Sequence, residues 1–316
     1  MLPPQTAETG AWAERLRTDV PEIRVLEPRA HSDAQSALAD ADAAYGTLPE
    51  DLIGYATRLR WLQAPAAGPA PGFYHQALVA HPVVVTNMRG TYTAIVASHA
   101  ATLLLALARD LPRYAKQQER HEWRLHSDPS ACLFLPEATV LLVGAGAIGA
   151  RVAELLAPFG PELIATDARL TAPPPPITQL YPPEALHDLL SQVDAVVVSV
   201  PHTPDTDRLF DKATFKRMKP GMRFVNVGRG PVVDVDALVD AMGEGLVAGA
   251  ALDVFPEEPL PADHPFWSLP GALVTPHSAG VGPGSDERRY QVLAENARRF
   301  GAGQPLLNIV DKKLWF

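Results

Sequence analysis

The sequence predicts an α/β protein built from two doubly wound parallel-sheet domains. Short runs rich in valine, isoleucine and leucine alternate with helical stretches along most of the chain. These apolar runs are continuous, which is typical of strands in a parallel sheet that helices cover on both faces. The length of 316 residues is enough for two domains of ordinary size.

Each element is predicted from its apolar pattern. The predicted strands are Glu22–Leu26, Ala43–Tyr45, Leu59–Gln63, Val83–Thr86, Thr139–Val143, Glu162–Thr166, Ala195–Val200, Arg223–Val227, Ala248–Leu252 and Ala272–Thr275. The clearest helices are predicted at Tyr92–Ala108, Ala147–Phe159, Pro183–Leu190, Val235–Met242 and Gly284–Phe300. Because four strands precede the long helix from Tyr92 and six follow it, we expect a substrate domain of residues 1–98 and 282–316 and a nucleotide-binding domain of residues 99–281.

Composition narrows the functional classes. The formal net charge of −9 argues against nucleic-acid binding and against an anionic membrane surface, since both need a basic footprint. The single cysteine, Cys132, excludes an intrachain disulfide, and a chain of this length needs no structural metal. We find no signal-peptide pattern and no apolar run long enough to cross a membrane, so a cytoplasmic location is expected.

A glycine motif connects a predicted strand to a predicted helix. Gly144, Gly146 and Gly149 form a G-x-G-x-x-G pattern directly after an apolar strand, as in a Rossmann dinucleotide-binding domain. The first glycine permits the turn, the second allows a pyrophosphate to approach, and the third allows the helix to pack on the strand. The N–H groups of Ala147 and Ile148 begin the helix and would meet the phosphate charge.

An acidic residue follows the next strand. Asp167 lies 18 residues after Gly149, close to the spacing expected for a carboxylate that binds a ribose 2′-hydroxyl. A carboxylate there repels a 2′-phosphate and favours NAD over NADP, although Arg169 weakens that preference. The structural alternative is that Asp167 only caps a loop.

Three later segments place polar side chains after strands, where open parallel sheets bind their ligands. Arg229, Glu258 and His277 are the prominent members of these segments. An arginine can hold a substrate carboxylate with two parallel hydrogen bonds, and a histidine backed by a carboxylate can move a proton near neutral pH. The set suits hydride transfer to or from a 2-oxo or 2-hydroxy acid.

With these motifs in this order, the chain resembles the D-isomer-specific 2-hydroxyacid dehydrogenases. The resemblance extends from about Leu59 to the C-terminus. The similarity rests on GAGAIG from Gly144, PHTPDT from Pro201, MKPG from Met218, NVGRG from Asn226, GAALDVF from Gly249, Glu258-Pro259 and Thr275-Pro-His277. The resemblance implies a flavodoxin-like substrate domain beside the Rossmann domain. It also implies a homodimer.

The resemblance also assigns roles. Arg229 would bind the substrate carboxylate, His277 would be the acid/base, and Glu258, with Glu257 as its competitor, would be the partner of His277. Asp253 would contact the nicotinamide side of the cofactor. Further positions expected to line the cofactor are Pro201, Thr206, Val227 and Gly280.

In the first domain, the backbone N–H groups of Ala67 and Gly68 resemble the family's carboxylate-binding loop. The chain departs from the family pattern at two places. Pro69-Ala70 follows this loop where the family often has an acidic residue at the second position, and Ser98 precedes His99 where the family usually has a glutamate. We expect the second departure to affect a hinge or interface and not the chemistry.

The leading hypothesis is therefore an NAD-dependent enzyme acting on glyoxylate- or hydroxypyruvate-like acids. The alternative is an NADH-sensing, corepressor-like binding module of the same fold with little turnover, because that branch keeps the same catalytic residues.

Overall fold

The computed structural model describes residues 1–68, 72–125 and 131–315. In chain order, the helices α1 to α10 of the described residues are Ala7–Asp19, His31–Asp40, Gln76–Ala80, Thr93–Ala108, Leu111–Glu119, Ala147–Leu156, Leu186–Leu189, Lys212–Phe215, Val235–Gly243 and Ser285–Gly301. The strands β1 to β10 are Ala43–Tyr45, Trp61–Gln63, Val84–Thr86, Thr139–Val143, Glu162–Thr166, Gln179–Tyr181, Ala195–Val198, Met222–Asn226, Val247–Leu252 and Ala272–Val274.

The chain divides into two compact units. Unit 1 comprises Met1–Tyr92 and Gly282–Phe316, and unit 2 comprises Thr93–Val281. The first boundary thus falls at the start of α4 and not at residue 98, because α4 is one continuous helix and its whole length goes with unit 2.

Unit 1 contains a parallel sheet with strand order β1-β2-β3 in the described residues. The predicted strand Glu22–Leu26 was wrong: this segment is irregular and does not pair with β1. A cavity of about 610 Å³ is lined by residues of this segment and of β1. The helices α1 and α2 were missed because their apolar residues are few; Trp12, Ala13 and Leu16 are the buried residues of α1.

Unit 2 contains a parallel sheet whose described strands follow the order β10-β9-β8-β7-β4-β5-β6. Strands β5 and β6 lie on one side of β4, and the chain then crosses to the other side of β4, where β7 pairs with it. The strand order therefore reverses between β4 and β7, and open α/β sheets bind ligands beyond the carboxyl ends of strands at such a point. The edge strand β6 was missed because its three residues, Gln179–Tyr181, carry little apolar pattern.

Both expected parallel-sheet domains are confirmed. The core of unit 2 is the apolar strands themselves: Val140, Leu141 and Leu142 of β4 and Val196 and Val198 of β7 are almost completely buried. These strands are buried on both faces, which is why their sequences are continuous apolar runs.

Candidate active site

The predicted cofactor- and substrate-binding segments of unit 2 follow strands at the same edge of the seven-stranded sheet. The glycine turn follows β4, Asp167 follows β5, and Pro201 lies in the loop after β7. The loops after β8, β9 and β10 contain the three predicted catalytic side chains, which are Arg229, Glu258 and His277. Parallel strands bring these loops, distant in sequence, to one edge.

The glycine turn has the geometry that its three glycines require. Gly144 has a φ of +95°, which is strained for other residues, and a Cβ on Gly149 would lie 2.0 Å from the Gly144 carbonyl oxygen. A Cβ on Gly146 would meet nothing within 4 Å, so open space lies in front of the turn. Helix α6 begins at Ala147 with no side chain capping its first N–H groups. An uncapped helix N-terminus facing open space is suited to a phosphate group.

Asp167 is held by three backbone N–H groups. Its Oδ2 accepts from Ala145 N at 3.0 Å, and its Oδ1 accepts from Arg169 N at 2.9 Å and Leu170 N at 3.1 Å. The carboxylate therefore caps its own loop and at the same time ties that loop to the glycine turn. A carboxylate has about four acceptor positions, so one position on Oδ2 is left for a ligand hydroxyl.

The loop after β7 is closed by one threonine. Thr206 Oγ1 donates to the Pro201 carbonyl at 2.7 Å and accepts from Thr203 N at 2.8 Å. Ser199 Oγ donates to the Gly144 carbonyl at 3.1 Å, which joins this loop to the glycine turn. The start of the loop that contains Pro201 and Thr206 is therefore tied to the glycine turn.

The backbone around Arg229 is clamped by Asn226 at the end of β8. The Asn226 amide accepts from Gly228 N at 2.9 Å and donates to the Arg229 carbonyl at 3.1 Å. A Cβ on Gly230 would lie 1.9 Å from the Phe255 carbonyl, so only glycine permits this close approach. The loop that contains Arg229 therefore packs closely against Phe255, in the segment that leads to Glu258. Val227 is buried beneath it.

Burial and a carboxylate act on Arg229 in opposite directions. Burial lowers the pKa of the Arg229 guanidinium, and the nearby Glu258 carboxylate partly offsets this decrease. A guanidinium remains charged at neutral pH even when its pKa is lowered. Arg229 is thus a partly buried cation; its Nη1 donates to the Gly228 carbonyl at 2.7 Å, and attraction to an anion is stronger there than in bulk water.

Glu258 and His277 form a direct pair. The distance between His277 Nδ1 and Glu258 Oε2 is 2.7 Å, and Glu258 Oε1 accepts from Phe255 N at 2.9 Å. The carboxylate is therefore fixed by the backbone on one side and orients the imidazole on the other. With Nδ1 engaged, Nε2 is the nitrogen available for proton transfer, and the His277 side chain is half exposed at 50%. Between the two neighbouring acids, the structure pairs Glu258 with the histidine.

The loop that carries His277 is fastened by Asp253. This buried carboxylate accepts from the Thr275 hydroxyl at 2.6 Å, from Ser278 N at 2.9 Å and from Ala279 N at 3.0 Å. It holds His277 in the left-handed backbone region, at a φ of +50°. The left-handed region is costly for a non-glycine residue, so these hydrogen bonds are what keep the loop in this conformation. Gly280 ends the same turn.

Sequence reasoning missed His99 as part of this cluster. His99 Nε2 lies 3.0 Å from Thr275 Oγ1 and 3.5 Å from Asp253 Oδ1, so α4 is linked to the His277 loop. The spacing of 176 residues between His99 and Thr275 hides this contact from any local pattern.

Ala67 and Gly68 lie in unit 1, in the loop after β2. Pro69 and Ala70, which depart from the family pattern, lie outside the described residues. Within residues 1–68, 72–125 and 131–315, no group of three or more His, Cys, Asp or Glu side chains is placed to hold a metal ion. In the same ranges no single helix is long and apolar enough to span a membrane; α4 and α5 reach that length only together and are bent by 72°.

The fold and the strand-end loops of unit 2 define a dinucleotide-binding oxidoreductase domain. Residues 101–279 match the family model of the D-isomer specific 2-hydroxyacid dehydrogenase NAD-binding domain. The chain belongs to this family of NAD-dependent oxidoreductases, which confirms the predicted enzyme class.

Individual relatives agree with this assignment. The chain is 31% identical over 300 residues to a glyoxylate reductase from Aeropyrum pernix, covering 91% of this chain and 88% of that one. It is 32% identical over 291 residues to a D-3-phosphoglycerate dehydrogenase from Mycobacterium tuberculosis, covering 90% of this chain but 54% of the relative. A D-isomer specific 2-hydroxyacid dehydrogenase from Xanthobacter autotrophicus, solved with NADPH and MES, is 28% identical with a TM-score of 0.83, covering 98% of this chain and 97% of that one.

Proposed function

We propose that this enzyme transfers a hydride between NAD(H) and a small D-2-hydroxy acid or its 2-oxo acid, of the glyoxylate or hydroxypyruvate type. The observation that carries the proposal is the 2.7 Å Glu258–His277 pair in the same unit as the partly buried Arg229. A proton carrier and an anion-binding cation are the two groups that this reaction requires besides the cofactor.

The residues around the glycine turn fit a dinucleotide. Gly146 leaves space for a pyrophosphate, the N–H groups of Ala147 and Ile148 face that space, and Asp167 retains one acceptor position. Pro201, Thr206, Val227, Asp253 and Gly280 lie in the loops that would line the nicotinamide half. When bound, the nicotinamide supplies or accepts the hydride.

The protein's own groups would handle the charge and the proton. Arg229 would hold the substrate carboxylate and polarise the adjacent oxo group. His277 Nε2 would give a proton to the oxo oxygen during reduction and take it back from the hydroxyl during oxidation. Glu258 would keep the ring oriented and stabilise its positive charge between these two steps. The N–H groups of Ala67 and Gly68 would provide a second contact for the substrate carboxylate.

The experiment that tests this proposal is a substrate panel. NADH oxidation is measured with glyoxylate, pyruvate, hydroxypyruvate, 2-oxobutyrate and phenylpyruvate, and D-3-phosphoglycerate is tested in the oxidative direction. We expect the highest kcat/KM with the smallest acids. Absence of turnover on every member, together with tight NADH binding, would favour the NADH-sensing module instead.

Cofactor preference gives the first mutational prediction. We expect wild type to prefer NADH, and Asp167→Asn to raise the ratio of kcat/KM with NADPH to that with NADH by at least about tenfold, because the substitution removes a like charge facing the 2′-phosphate. The amide oxygen of asparagine can still accept from Arg169 N and Leu170 N, but the contact of Oδ2 with Ala145 N is lost. Asp188→Asn, an exposed charge removal on α7, is the matched control and should leave the ratio unchanged. An NADPH preference in wild type would contradict the role given to Asp167.

The homodimer and the cytoplasmic location stay predictions. Sedimentation velocity of the purified enzyme distinguishes a dimer from a monomer of 34.0 kDa.

A further inference from the structure

His99 of α4 contacts two of the residues that hold the His277 loop in place. Its Nε2 lies 3.0 Å from Thr275 Oγ1 and 3.5 Å from Asp253 Oδ1, and its side chain is 24% exposed. All of these residues belong to unit 2. The contact therefore joins the long helix to the residues that directly follow β9 and β10.

The direction of these hydrogen bonds fixes the proton of His99. The Thr275 hydroxyl donates its single hydrogen to Asp253 Oδ1 at 2.6 Å. The hydroxyl oxygen can then only accept from His99, so the proton must lie on His99 Nε2. His99 is thus the first donor of a chain that runs through the Thr275 hydroxyl to the buried Asp253 carboxylate. Hydrogen bonds in such a chain strengthen one another.

The Asp253 end of this chain holds the backbone at His277. Asp253 Oδ1 accepts from Ser278 N at 2.9 Å, and Oδ2 accepts from Ala279 N at 3.0 Å. The Asp253 carbonyl accepts from His277 N at 2.8 Å, so three successive N–H groups are held by one residue. His277 has a φ of +50°, which is costly without such support. A shift of the carboxylate would therefore move the backbone that carries the imidazole.

Helix α4 is a rigid base from which His99 can act. Ala100 and Leu104 of this helix are fully buried. Near the other end of α4, the buried Arg223 of β8 donates from Nε to the Leu107 carbonyl at 3.3 Å. A side chain on a packed helix keeps its position more precisely than one on a loop. The core of unit 2 therefore sets the position of His99, and His99 is placed to set that of the loop after β10.

We propose that His99 is a positioning residue for proton transfer: through the Thr275 hydroxyl it holds the loop of His277 in its active conformation. The inference rests on the proposed function, because it assumes that His277 exchanges a proton with the substrate. It adds that a helix residue remote in sequence sets the rate of that step. A residue that only packed would act through its shape, whereas His99 acts through its Nε2 proton.

Two substitutions at His99 separate these roles. His99→Leu keeps an apolar body on the helix but removes the donor, and we expect kcat to fall about tenfold, because small displacements of a catalytic group cost much of its rate. His99→Gln can place an amide donor near the same position, so kcat should return to within about threefold of wild type. The KM for the 2-oxo acid should change little in either variant, since Asn226 and not His99 holds the backbone at Arg229.

His187 provides the matched control. Its Nε2 lies 3.2 Å from Thr214 Oγ1, so His187→Leu removes the same kind of pair between α7 and α8 of the same unit. This variant should keep the kcat of wild type. An equal loss of kcat in His187→Leu and His99→Leu would indicate general destabilisation and overturn the proposal. The proposal is also overturned if His99→Leu keeps the kcat of wild type, or if His99→Gln is as slow as His99→Leu.

Hydrogen exchange tests the positioning without any substrate. In His99→Leu the amide hydrogens of Ser278 and Ala279 should exchange at least about tenfold faster, because the carboxylate that accepts from them is no longer held. In His99→Gln and His187→Leu they should exchange as in wild type. Unchanged exchange in His99→Leu would exclude the role of His99 whatever the activity. If wild type turns over no 2-oxo acid, the proposed function fails, and the exchange rates still decide whether His99 holds the loop.

Discussion

Replacing His277 with alanine is expected to lower kcat by about 10²–10⁴-fold, the range typical of a lost general acid/base. In the proposed mechanism the imidazole exchanges a proton with the substrate oxygen through Nε2, because its Nδ1 is paired with Glu258 at 2.7 Å. The KM for the 2-oxo acid and the Kd for NADH should change far less than kcat, because the substitution removes a proton carrier. Steady-state kinetics with NADH and glyoxylate give all three comparisons.

Two further variants make this prediction specific. Glu258→Gln keeps the shape of the partner but removes its charge, so it should lower kcat less than His277→Ala, and the double variant should be no slower than His277→Ala alone. His31→Ala removes a histidine of unit 1 that pairs with Asp51, and should leave kcat within threefold. A His277→Ala enzyme within threefold of wild type would remove His277 from the mechanism.

The second large effect is expected at Arg229. Arg229→Lys keeps the positive charge but loses the planar fork that binds a carboxylate with two parallel bonds, so kcat/KM should fall about 10²–10³-fold. The loss should be large because Arg229 is partly buried, so fewer water molecules can replace the hydrogen bond that lysine cannot make.

The control for this prediction is Arg217→Lys, at an exposed arginine of unit 2, which should leave kcat/KM unchanged. Added guanidinium should partly restore the activity of an Arg229→Ala variant, since it returns the missing fork. Equal kcat/KM values for wild type and Arg229→Lys would mean that the carboxylate is bound elsewhere.

Much of unit 2 could be predicted because its information is local. Continuous apolar runs of three to six residues mark β4, β5, β7 and β9. The glycine turn follows β4, and a polar residue follows each of the other three strands. Gly144 and Gly149 could be interpreted in the same way, since a positive φ and a 2.0 Å approach require glycine wherever they occur. The pairing of Glu258 with His277 followed from chemistry and the family motif.

The contacts that orient these groups could not be predicted in the same way. The hydrogen bonds that hold the His277 loop join Asp253, Thr275 and His99. The contacts of the loop after β2 join Ala67 to Asn87 and Pro65 to Arg289, 224 positions away. A buried side chain that donates to a remote carbonyl leaves no periodic signal. The predicted strand Glu22–Leu26 failed for a related reason, since its apolar pattern does not guarantee a ladder partner.

The most direct test of the whole account is the configuration of the product formed from hydroxypyruvate and NADH. One experiment follows NADH oxidation in the spectrophotometer and resolves the glycerate formed by chiral chromatography. We predict that each NADH consumed yields one molecule of D-glycerate, and that His277→Ala yields the same enantiomer far more slowly. Formation of L-glycerate, or NADH that binds but is never oxidised by any 2-oxo acid, would contradict the account.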